Sequence, residues 1–186
     1  MLINVTLQTI VKLTTWSIVL ALLLAFTAQQ PAPVFSQGRG ETNMSTHNQQ
    51  TESQNKAIVL ASFEAWKAGS GSPYDLLADD AQWTIVGHSL ASKTYPSREA
   101  FMSEVIRPFN ARMSAGLKPS IRHIYTDGNT VIVFFDASGT ARDGKPYANT
   151  YAWFLELRNG KVVKASAFFD SVVFNEFWER VHPSQD

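Results

Sequence analysis

The chain contains 186 residues, of which 45% are hydrophobic, and its 16 basic residues balance its 16 acidic ones. This length and composition predict one globular domain with a sizeable core and a short additional segment. The balanced charge and the lack of a Lys/Arg cluster argue against a nucleic-acid partner. The absence of cysteine excludes disulfides, thiolate metal sites and a cysteine nucleophile.

Residues 1–36 predict a cleaved signal peptide. They carry one charged side chain, Lys12, followed by an apolar run over residues 16–28. This run is shorter than the roughly 20 residues of a transmembrane helix, but it suits the core of a signal peptide. Val34 and Ser36 place small residues at the positions that determine cleavage. We therefore expect a secreted or periplasmic protein that keeps no membrane span after cleavage.

Two alternatives for the N-terminus stay open. The apolar run could remain as an uncleaved anchor, or translation could begin at Met44, which would leave the protein in the cytoplasm. Residues 37–53 are polar and lack apolar periodicity, which predicts a disordered linker. The folded domain is then expected over residues 54–186.

Apolar periodicity and turn residues predict helices first and strands afterwards. In chain order, the expected elements are a helix over about 54–68, a short helix over 73–77, a strand over 82–86, a helix over 97–113, strands over 118–126, 130–141, 147–158 and 161–170, and a helix over 171–181. Ser97 is suited to cap the third helix, and Pro108 is expected to kink it. This order is typical of an α+β fold with an antiparallel meander.

The Asn159-Gly160 turn decides which residues of the last two strands face inward. A two-residue turn would pair Leu155 with Lys164 and bury that lysine. A three-residue loop over residues 158–160 instead pairs Trp153 with Ala165 and Tyr151 with Ala167. An unpartnered buried lysine costs several kcal/mol, so the three-residue register is favoured. The predicted inner face is then Asn149, Tyr151, Trp153, Ala165, Ala167 and Phe169.

Two alanines opposite Tyr151 and Trp153 leave space on this inner face. Such space is what a pocket between a sheet and its covering helices requires. Ordinary core packing of small residues against large ones is the alternative.

Four segments, in this order, resemble the nuclear transport factor 2-like superfamily: LLADDAQWTIVG, YPSREAF, DGKPYANTYAW and NGKVVKASAFFD. The SnoaL-like, ketosteroid-isomerase-related branch is the most similar, and the resemblance covers about residues 54–181. It implies a curved antiparallel sheet that forms a cone covered by the N-terminal helices, an arrangement also called cystatin-like. It further implies a largely apolar cavity and often a homodimer packed through the sheet.

The catalytic residues of the relatives mostly do not carry over to this chain. The ketosteroid isomerase positions that hold the oxyanion fall at about Ser62 and Trp153, and its proton-moving aspartate falls at about Ile85. An isoleucine cannot abstract a proton, so steroid isomerisation by that mechanism is disfavoured. Of the acids used by limonene-epoxide-hydrolase-like relatives, the one on the last strand falls at Ala167, and Asp136 matches one carboxylate at most.

Three residues are candidates for acid/base catalysis: Asp170, Tyr151 and His88. Asp170 directly precedes the last helix, so a helix cap is the alternative. His88 follows the first strand, where an imidazole titrating near neutral pH could act as acid or base; a surface histidine is the alternative. A second histidine, His123, could pair with it as in scytalone-dehydratase-like relatives, but neither lies in a matching motif.

Five further residues are candidate ligand contacts: Asn149, Trp153, Trp83, Phe169 and Asp136. Asn149 and Tyr151 could bind a carbonyl or hydroxyl group of a ligand, or they could form a buried hydrogen-bonded pair. The side of the sheet on which Asp136 lies depends on the register of the Asp143-Gly144 turn, which the sequence leaves open.

No metal site is expected, because the 4 histidines are scattered and show no paired ligand spacing. No cofactor is expected either, since phosphate-binding glycine loops are missing.

Two functions fit the sequence. One is an exported domain that binds a small, mainly apolar, polyketide-, steroid- or isoprenoid-like molecule, with or without cofactor-independent acid/base catalysis. The other is a non-catalytic interaction or dimerisation module with a filled cone.

Overall fold

The structure, a computed structural model, describes residues 38–183, with side chains from residue 46 onward. The predicted signal peptide and the last three residues of the predicted domain lie outside this range. Within it, no helix is both long and apolar enough to cross a membrane.

The described chain folds into helices followed by a long sheet. Its helical elements are α1 (Gly38–Ala68), a 3-10 turn (Pro73–Leu76), α2 (Arg98–Phe101), a π segment (Met102–Ile106), α3 (Arg107–Asn110) and α4 (Ser171–Arg180). Its strands are β1 (Leu77–Ile85), β2 (Thr94–Tyr95), β3 (Met113–Asp127), β4 (Thr130–Ala141), β5 (Pro146–Arg158) and β6 (Lys161–Phe169).

One six-stranded sheet has the order β2-β1-β6-β5-β4-β3. The meander from β3 to β6 is antiparallel, and β1 pairs with β6 in parallel. The sheet is therefore mixed, whereas the sequence led us to expect antiparallel pairing alone. The predicted α+β class, with a curved sheet under N-terminal helices, is confirmed.

The segment over residues 38–53, predicted as a disordered linker, instead forms the first half of α1. From residue 46 to residue 53 its side chains are mostly exposed, which fits the missing apolar periodicity. The Thr51 hydroxyl donates to the His47 carbonyl at 3.0 Å. The Glu52 carboxylate accepts a hydrogen bond of 2.8 Å from the Gly128 backbone N–H in the β3–β4 turn. Glu52 thus joins this part of α1 to the sheet.

The third predicted helix is a continuous helical run that ends at Asn110 rather than near residue 113. Pro108 has no backbone N–H, so it cannot bond to the carbonyl four residues earlier. The π segment precedes it, and the Arg107 N–H reaches back to the Met102 carbonyl. The chain enters β3 at Met113, so Gly116 lies inside this strand.

The β5–β6 hairpin has a register that neither sequence alternative anticipated. Asn159 and Gly160 form a two-residue turn with φ of 53° and 73°, and Glu156 pairs with Lys164 beyond a bulge in β6. The extra residue shifts the side-chain alternation by one position, so Lys164 points outward. The predicted pairs are wrong, since Trp153 lies opposite Ala167.

The predicted inner face of this hairpin is nevertheless correct. Asn149, Tyr151, Trp153, Ala165 and Ala167 are all buried, and Phe169 is partly buried. The bulge places the same residues on the inner face as the predicted three-residue loop would. Each of them adds one residue that has no partner on the opposite strand, and this shifts the alternation of β6 by one position.

Helix α1 packs on this face through Val59 and Phe63, which are 0% and 1% exposed. The Phe63 ring meets those of Phe135 and Trp153 edge-on, with centroids 4.9 and 5.7 Å apart. Such edge-to-face pairs add to the apolar burial that joins helix and sheet. The helix thereby covers one end of the cone and leaves space beside it.

The curvature of the sheet depends on Gly139 in β4. Strand β3 bulges opposite this glycine, between its pairs to Thr140 and Ser138. A Cβ at Gly139 would lie 2.6 Å from the Ala115 carbonyl oxygen and 2.7 Å from the Met113 methyl carbon. A backbone oxygen cannot move aside as a flexible side chain can, so the bulge requires glycine here.

We predict that Gly139→Ala lowers the free energy of unfolding by about 1–3 kcal/mol, because the added methyl group forces the bulge apart. Urea unfolding followed by circular dichroism measures the change. Gly116→Ala is the matched control in the same bulge: no atom lies within 4 Å of the position that its Cβ would take, so its effect should stay within about 0.5 kcal/mol. Equal stabilities of the two variants would contradict this account of the curvature.

Candidate functional site

A cavity of about 670 Å³ lies between the sheet and the helical run from α2 to α3. Ligand-binding cavities commonly measure about 300–1,000 Å³. The cone is therefore not filled by its own side chains, and the interpretation as ordinary core packing does not hold here. The aromatic residues that line it come from α1, the 3-10 turn, β1, the helical run, β5, β6 and α4: Trp66, Tyr74, Trp83, Phe101, Phe109, Tyr151, Trp153, Phe169 and Phe174.

The aromatic wall is held in place by its own ring contacts. Trp83 stacks on Phe101 with centroids 4.4 Å apart and meets Trp153 edge-on at 5.1 Å. Trp66 lies parallel to Trp153 at 6.2 Å. Interlocking rings have few alternative rotamers, so the wall is preformed rather than assembled around a ligand. Trp153, Trp83 and Phe169, predicted as ligand contacts, all line the cavity.

Two tyrosines supply polar groups among the lining residues, Tyr74 and Tyr151. Burial raises the pKa of Tyr151 well above its usual range, and the nearby Tyr147 and Tyr74 contribute to the shift. Burial likewise raises the pKa of Tyr74 well above its usual range. Both phenols thus stay protonated at neutral pH. They act there as hydrogen-bonding hydroxyl groups and not as bases.

The amide of Asn149 holds Tyr147, the hydrogen-bonding partner of Tyr151. Its Oδ1 accepts from the backbone N–H groups of Thr150 at 2.8 Å and Asp170 at 3.0 Å. Two N–H donors require an oxygen acceptor, so the opposite atom must be Nδ2. Nδ2 donates to the Tyr147 hydroxyl at 3.1 Å and to the Asp170 carbonyl at 3.0 Å.

The Tyr147 hydroxyl lies 3.1 Å from that of Tyr151. Either hydroxyl can donate in this pair, because a hydroxyl oxygen has two lone pairs and Tyr147 uses one of them to accept from Asn149. When Tyr147 is the donor, the Tyr151 proton is free for an acceptor in the cavity. Asn149 itself is buried and does not line this cavity, so it positions the tyrosine pair and does not contact a ligand there.

Asp170, a predicted catalytic residue, caps α4. Its Oδ1 accepts from the backbone N–H groups of Val172 at 2.9 Å and Val173 at 3.3 Å. Its side chain does not line the cavity. The structure therefore gives Asp170 the alternative role weighed from the sequence, because the end of a strand followed at once by a helix leaves backbone N–H groups to satisfy.

His88 and Asp136 are not brought into the cavity. His88 is exposed in the loop after β1. Asp136 lies on the outer face of the sheet, opposite Thr150, because the β4–β5 turn pairs Thr140 with Pro146. Its carboxylate binds Arg122 at 2.6 Å and accepts from the Thr150 hydroxyl at 2.7 Å, and both contacts lower the pKa of Asp136.

Sequence reasoning missed Tyr74 and Tyr147. Tyr147 continues the inward alternation of Asn149 and Tyr151 by one more step, so the pattern contained the signal. Tyr74 follows a capping box in which the Ser72 hydroxyl accepts its backbone N–H at 3.2 Å. That motif marks a helix start, but the direction of the ring depends on how the turn meets β1.

The arrangement suits binding of an apolar ring compound that carries an oxygen atom. Among the lining residues, the only carboxylate is that of Asp75, at the mouth, where it accepts from the Ser72 backbone N–H at 3.0 Å. No histidine lines the cavity. In the part of the chain that the structure describes, no three His, Asp or Glu side chains lie close enough to hold a metal ion.

Comparison with known structures identifies the same fold elsewhere. Bal32a, from a soil-derived mobile gene cassette, has a TM-score of 0.58 at 23% identity, over 69% of this chain and 98% of that chain. A putative SnoaL-like polyketide cyclase from Jannaschia sp. CCS1 has a TM-score of 0.52 at 18% identity, over 68% and 92%. TerC, co-crystallised with polyporic acid, has a TM-score of 0.53 at 20% identity, over 67% and 98%.

No curated protein matches the chain in sequence. The family model of the SnoaL-like domain does match, over residues 59–165, which is more than half of the 186-residue chain. This span runs from the middle of α1 to the middle of β6 and includes most of the residues that build the cone. The chain belongs to the SnoaL-like domain family.

Proposed function

We propose that the protein binds a small, mainly apolar ring compound of polyketide-, steroid- or isoprenoid-like character in its cone. A carbonyl or hydroxyl oxygen of this compound accepts the hydrogen bond from Tyr151. The observation that carries the proposal is the 670 Å³ cavity, aromatic in lining and with the Tyr151 hydroxyl held by Tyr147. TerC, which shares the fold, was co-crystallised with polyporic acid, and this is consistent with a ligand-binding function.

Apolar burial supplies most of the expected affinity. Burying about 300 Å² of apolar ligand surface contributes roughly 7 kcal/mol, of which at least about 4 kcal/mol is offset by lost rigid-body freedom. One hydrogen bond from Tyr151 adds about 1 kcal/mol. The sum, at most about 4 kcal/mol, corresponds to an affinity of about millimolar, and the hydrogen bond then decides between ligands of equal shape.

Any turnover in this site would rest on polarisation by neutral tyrosine. A phenol hydroxyl that donates to a carbonyl stabilises negative charge developing on its oxygen. The lining residues offer no carboxylate or imidazole beside it to remove a proton from the ligand. The site therefore favours binding, or a ring closure or elimination in which the ligand's own groups move the proton.

We predict that 9-fluorenone binds more tightly than fluorene, since the two differ only in the carbonyl oxygen that Tyr151 would bind. Tyr151→Phe should weaken fluorenone binding roughly three- to tenfold, the value of one hydrogen bond, and leave fluorene binding unchanged. Quenching of the fluorescence of Trp83 and Trp153 measures both affinities. Tyr125→Phe is the matched control, because Tyr125 is 55% exposed on the outer face.

Absence of binding by both compounds, together with absence of any co-purified small molecule in native mass spectrometry of the protein from its own host, would refute the ligand-binding function. If Tyr151→Phe changed the affinities for the two compounds equally, the proposed role of Tyr151 would be refuted. The ligand-binding function itself would stand.

The outer face of the sheet supports a second proposal, a homodimer packed through this face. Tyr125, Phe154 and Phe168 are 55%, 39% and 44% exposed there, and the last two rings lie 5.9 Å apart. Contiguous exposed aromatics favour an interface. Glu156 and Lys164 lie opposite each other on the same face, so the surface carries both charges and suits contact with its own copy.

Phe168→Glu is expected to convert such a dimer into a monomer, because two buried carboxylates would face each other across the two-fold axis. Sedimentation velocity of the whole protein measures the change. Leu90→Glu serves as the control, since Leu90 is 58% exposed outside the sheet. A monomeric parent protein, or a dimer that survives Phe168→Glu, would contradict this interface.

Export remains part of the proposal, on the sequence of residues 1–36. Cleavage after Ser36 should give a mature protein that begins at Gln37, as determined by N-terminal sequencing of the periplasmic or secreted fraction. Leu23→Arg interrupts the apolar core and should leave the unprocessed protein in the cytoplasm. An N-terminus at Met1 or Met44 in the parent protein would instead support one of the two alternatives.

A further inference from the structure

Tyr74 brings a second hydroxyl group to the wall of the cavity. Its backbone N–H donates to the Ser72 hydroxyl at 3.2 Å, and its carbonyl accepts from the Arg98 guanidinium at 3.4 Å. Its side-chain hydroxyl forms no hydrogen bond with any residue that the structure describes, yet it is not a buried atom shut off from solvent. This hydroxyl is therefore open to the cavity that Tyr74 lines.

The ring of Tyr74 is held in place by its neighbours. It meets Trp83 and Phe101 edge-on, with centroids 5.9 and 5.7 Å apart. The Lys161 ammonium donates to the carbonyl of the next residue, Asp75, at 3.0 Å, which ties the 3-10 turn to β6. A ring packed in this way has few other rotamers. Its hydroxyl thus keeps its position when a ligand enters.

A wholly apolar ligand would leave this hydroxyl without a hydrogen bond. Water bonds to an open hydroxyl, and a ligand that displaces the water without replacing its hydrogen bond loses affinity. Burial raises the pKa of Tyr74 well above its usual range, so the hydroxyl stays protonated and can both donate and accept. Either a carbonyl or a hydroxyl group of a ligand can therefore replace the water.

Tyr74 and Tyr151 come from different parts of the wall. Tyr151 lies in β5 and stacks on Phe135 with centroids 4.9 Å apart, whereas Tyr74 lies in the 3-10 turn before β1. The rings of Tyr151 and Tyr74 both contact Trp153, with centroids 6.3 and 5.8 Å from it. Tyr74 also contributes to the raised pKa of Tyr151, so the two hydroxyls lie within electrostatic reach of each other. One small molecule against Trp153 can then bind both.

On this basis, and resting on the ligand-binding function above, we propose that the ligand carries two oxygen-bearing groups and that Tyr74 binds the second of them. The ring system lies against Trp153, the first oxygen accepts from Tyr151, and the second forms a hydrogen bond with Tyr74. Tyr74 is then a specificity-determining residue, because it favours the doubly oxygenated compound over one of the same skeleton with a single oxygen. Together, the two hydrogen bonds set the orientation of the ring system.

Hydroxylated forms of 1-indanone test this proposal, because they keep one skeleton and one carbonyl and add a second oxygen. The probes are 4-, 5- and 6-hydroxy-1-indanone, in which the hydroxyl is too far from the carbonyl to bond to it. At least one isomer should bind the whole protein roughly three- to tenfold more tightly than 1-indanone, the effect of one hydrogen bond. Chemical-shift titration of the tryptophan indole N–H signals measures such affinities in the millimolar range.

Tyr74→Phe should remove this preference. The affinity for the favoured isomer should fall by the same three- to tenfold, while that for 1-indanone should not fall, because the variant has no hydroxyl to leave unpaired. Tyr95→Phe is the matched control: the Tyr95 ring also contacts Phe101, at 5.4 Å, but Tyr95 does not line the cavity and its hydroxyl bonds to the Ala91 carbonyl. Disturbed packing around Phe101 would change the affinities for all probes alike.

The outcomes separate this inference from the function on which it rests. If no isomer binds more tightly than 1-indanone, or if Tyr74→Phe leaves the affinity ratio unchanged, the second oxygen site is wrong, and binding of 1-indanone leaves the ligand-binding function standing. If Tyr74→Phe weakens binding of 1-indanone as much as that of every isomer, both tyrosines bind one oxygen and the inference is also wrong. If no probe binds, and the fluorenone and mass-spectrometry tests also fail, the ligand-binding function is wrong and this inference with it.

Discussion

The buried amide of Asn149 holds together the parts on which the cavity depends. It joins β5 to the end of β6 through both backbone groups of Asp170, and α4 begins at the next residue. Its remaining donor binds Tyr147 and thereby directs Tyr147 towards Tyr151. Removing such an amide would leave several buried polar groups unpaired, each at a cost of about 1–3 kcal/mol. The side chain of Asn149 thus fixes the positions of β5, the start of α4 and the hydroxyl pair of Tyr147 and Tyr151.

The aromatic interior of the site carries no charged group that could act as a base, and this limits its chemistry. Burial keeps the phenols of Tyr74 and Tyr151 protonated, so they can stabilise an oxygen but cannot accept its proton. By the resemblance to ketosteroid isomerase, the proton-moving aspartate falls at about Ile85 and an oxyanion-holding position at about Trp153, and here both side chains add apolar surface to the cavity instead. Recognition by shape is strengthened by the same substitutions that remove a base.

The sequence predicted the order of the elements and the inner face well, because alternation along a strand is a local property. Local properties do not determine which residues lie opposite each other. The bulge in β6 restores the inward set while shifting every pair, so Trp153 meets Ala167 and not Ala165. Asp136 falls on the outer face for a similar reason, since a distant turn sets its register. Tyr74 was missed because its ring direction depends on tertiary packing.

The bend of β3 around Gly139 separates the shape of the cone from the side chains that line it. The close approach of β3 that requires glycine involves the Ala115 carbonyl oxygen and the Met113 methyl carbon, and Gly139 itself does not line the cavity. Residues of the wall such as Met102, Val105 and Ala167 are therefore free to change over generations without unbending the sheet. A scaffold of this kind can acquire a new ligand by a few substitutions, each tolerated by the fold.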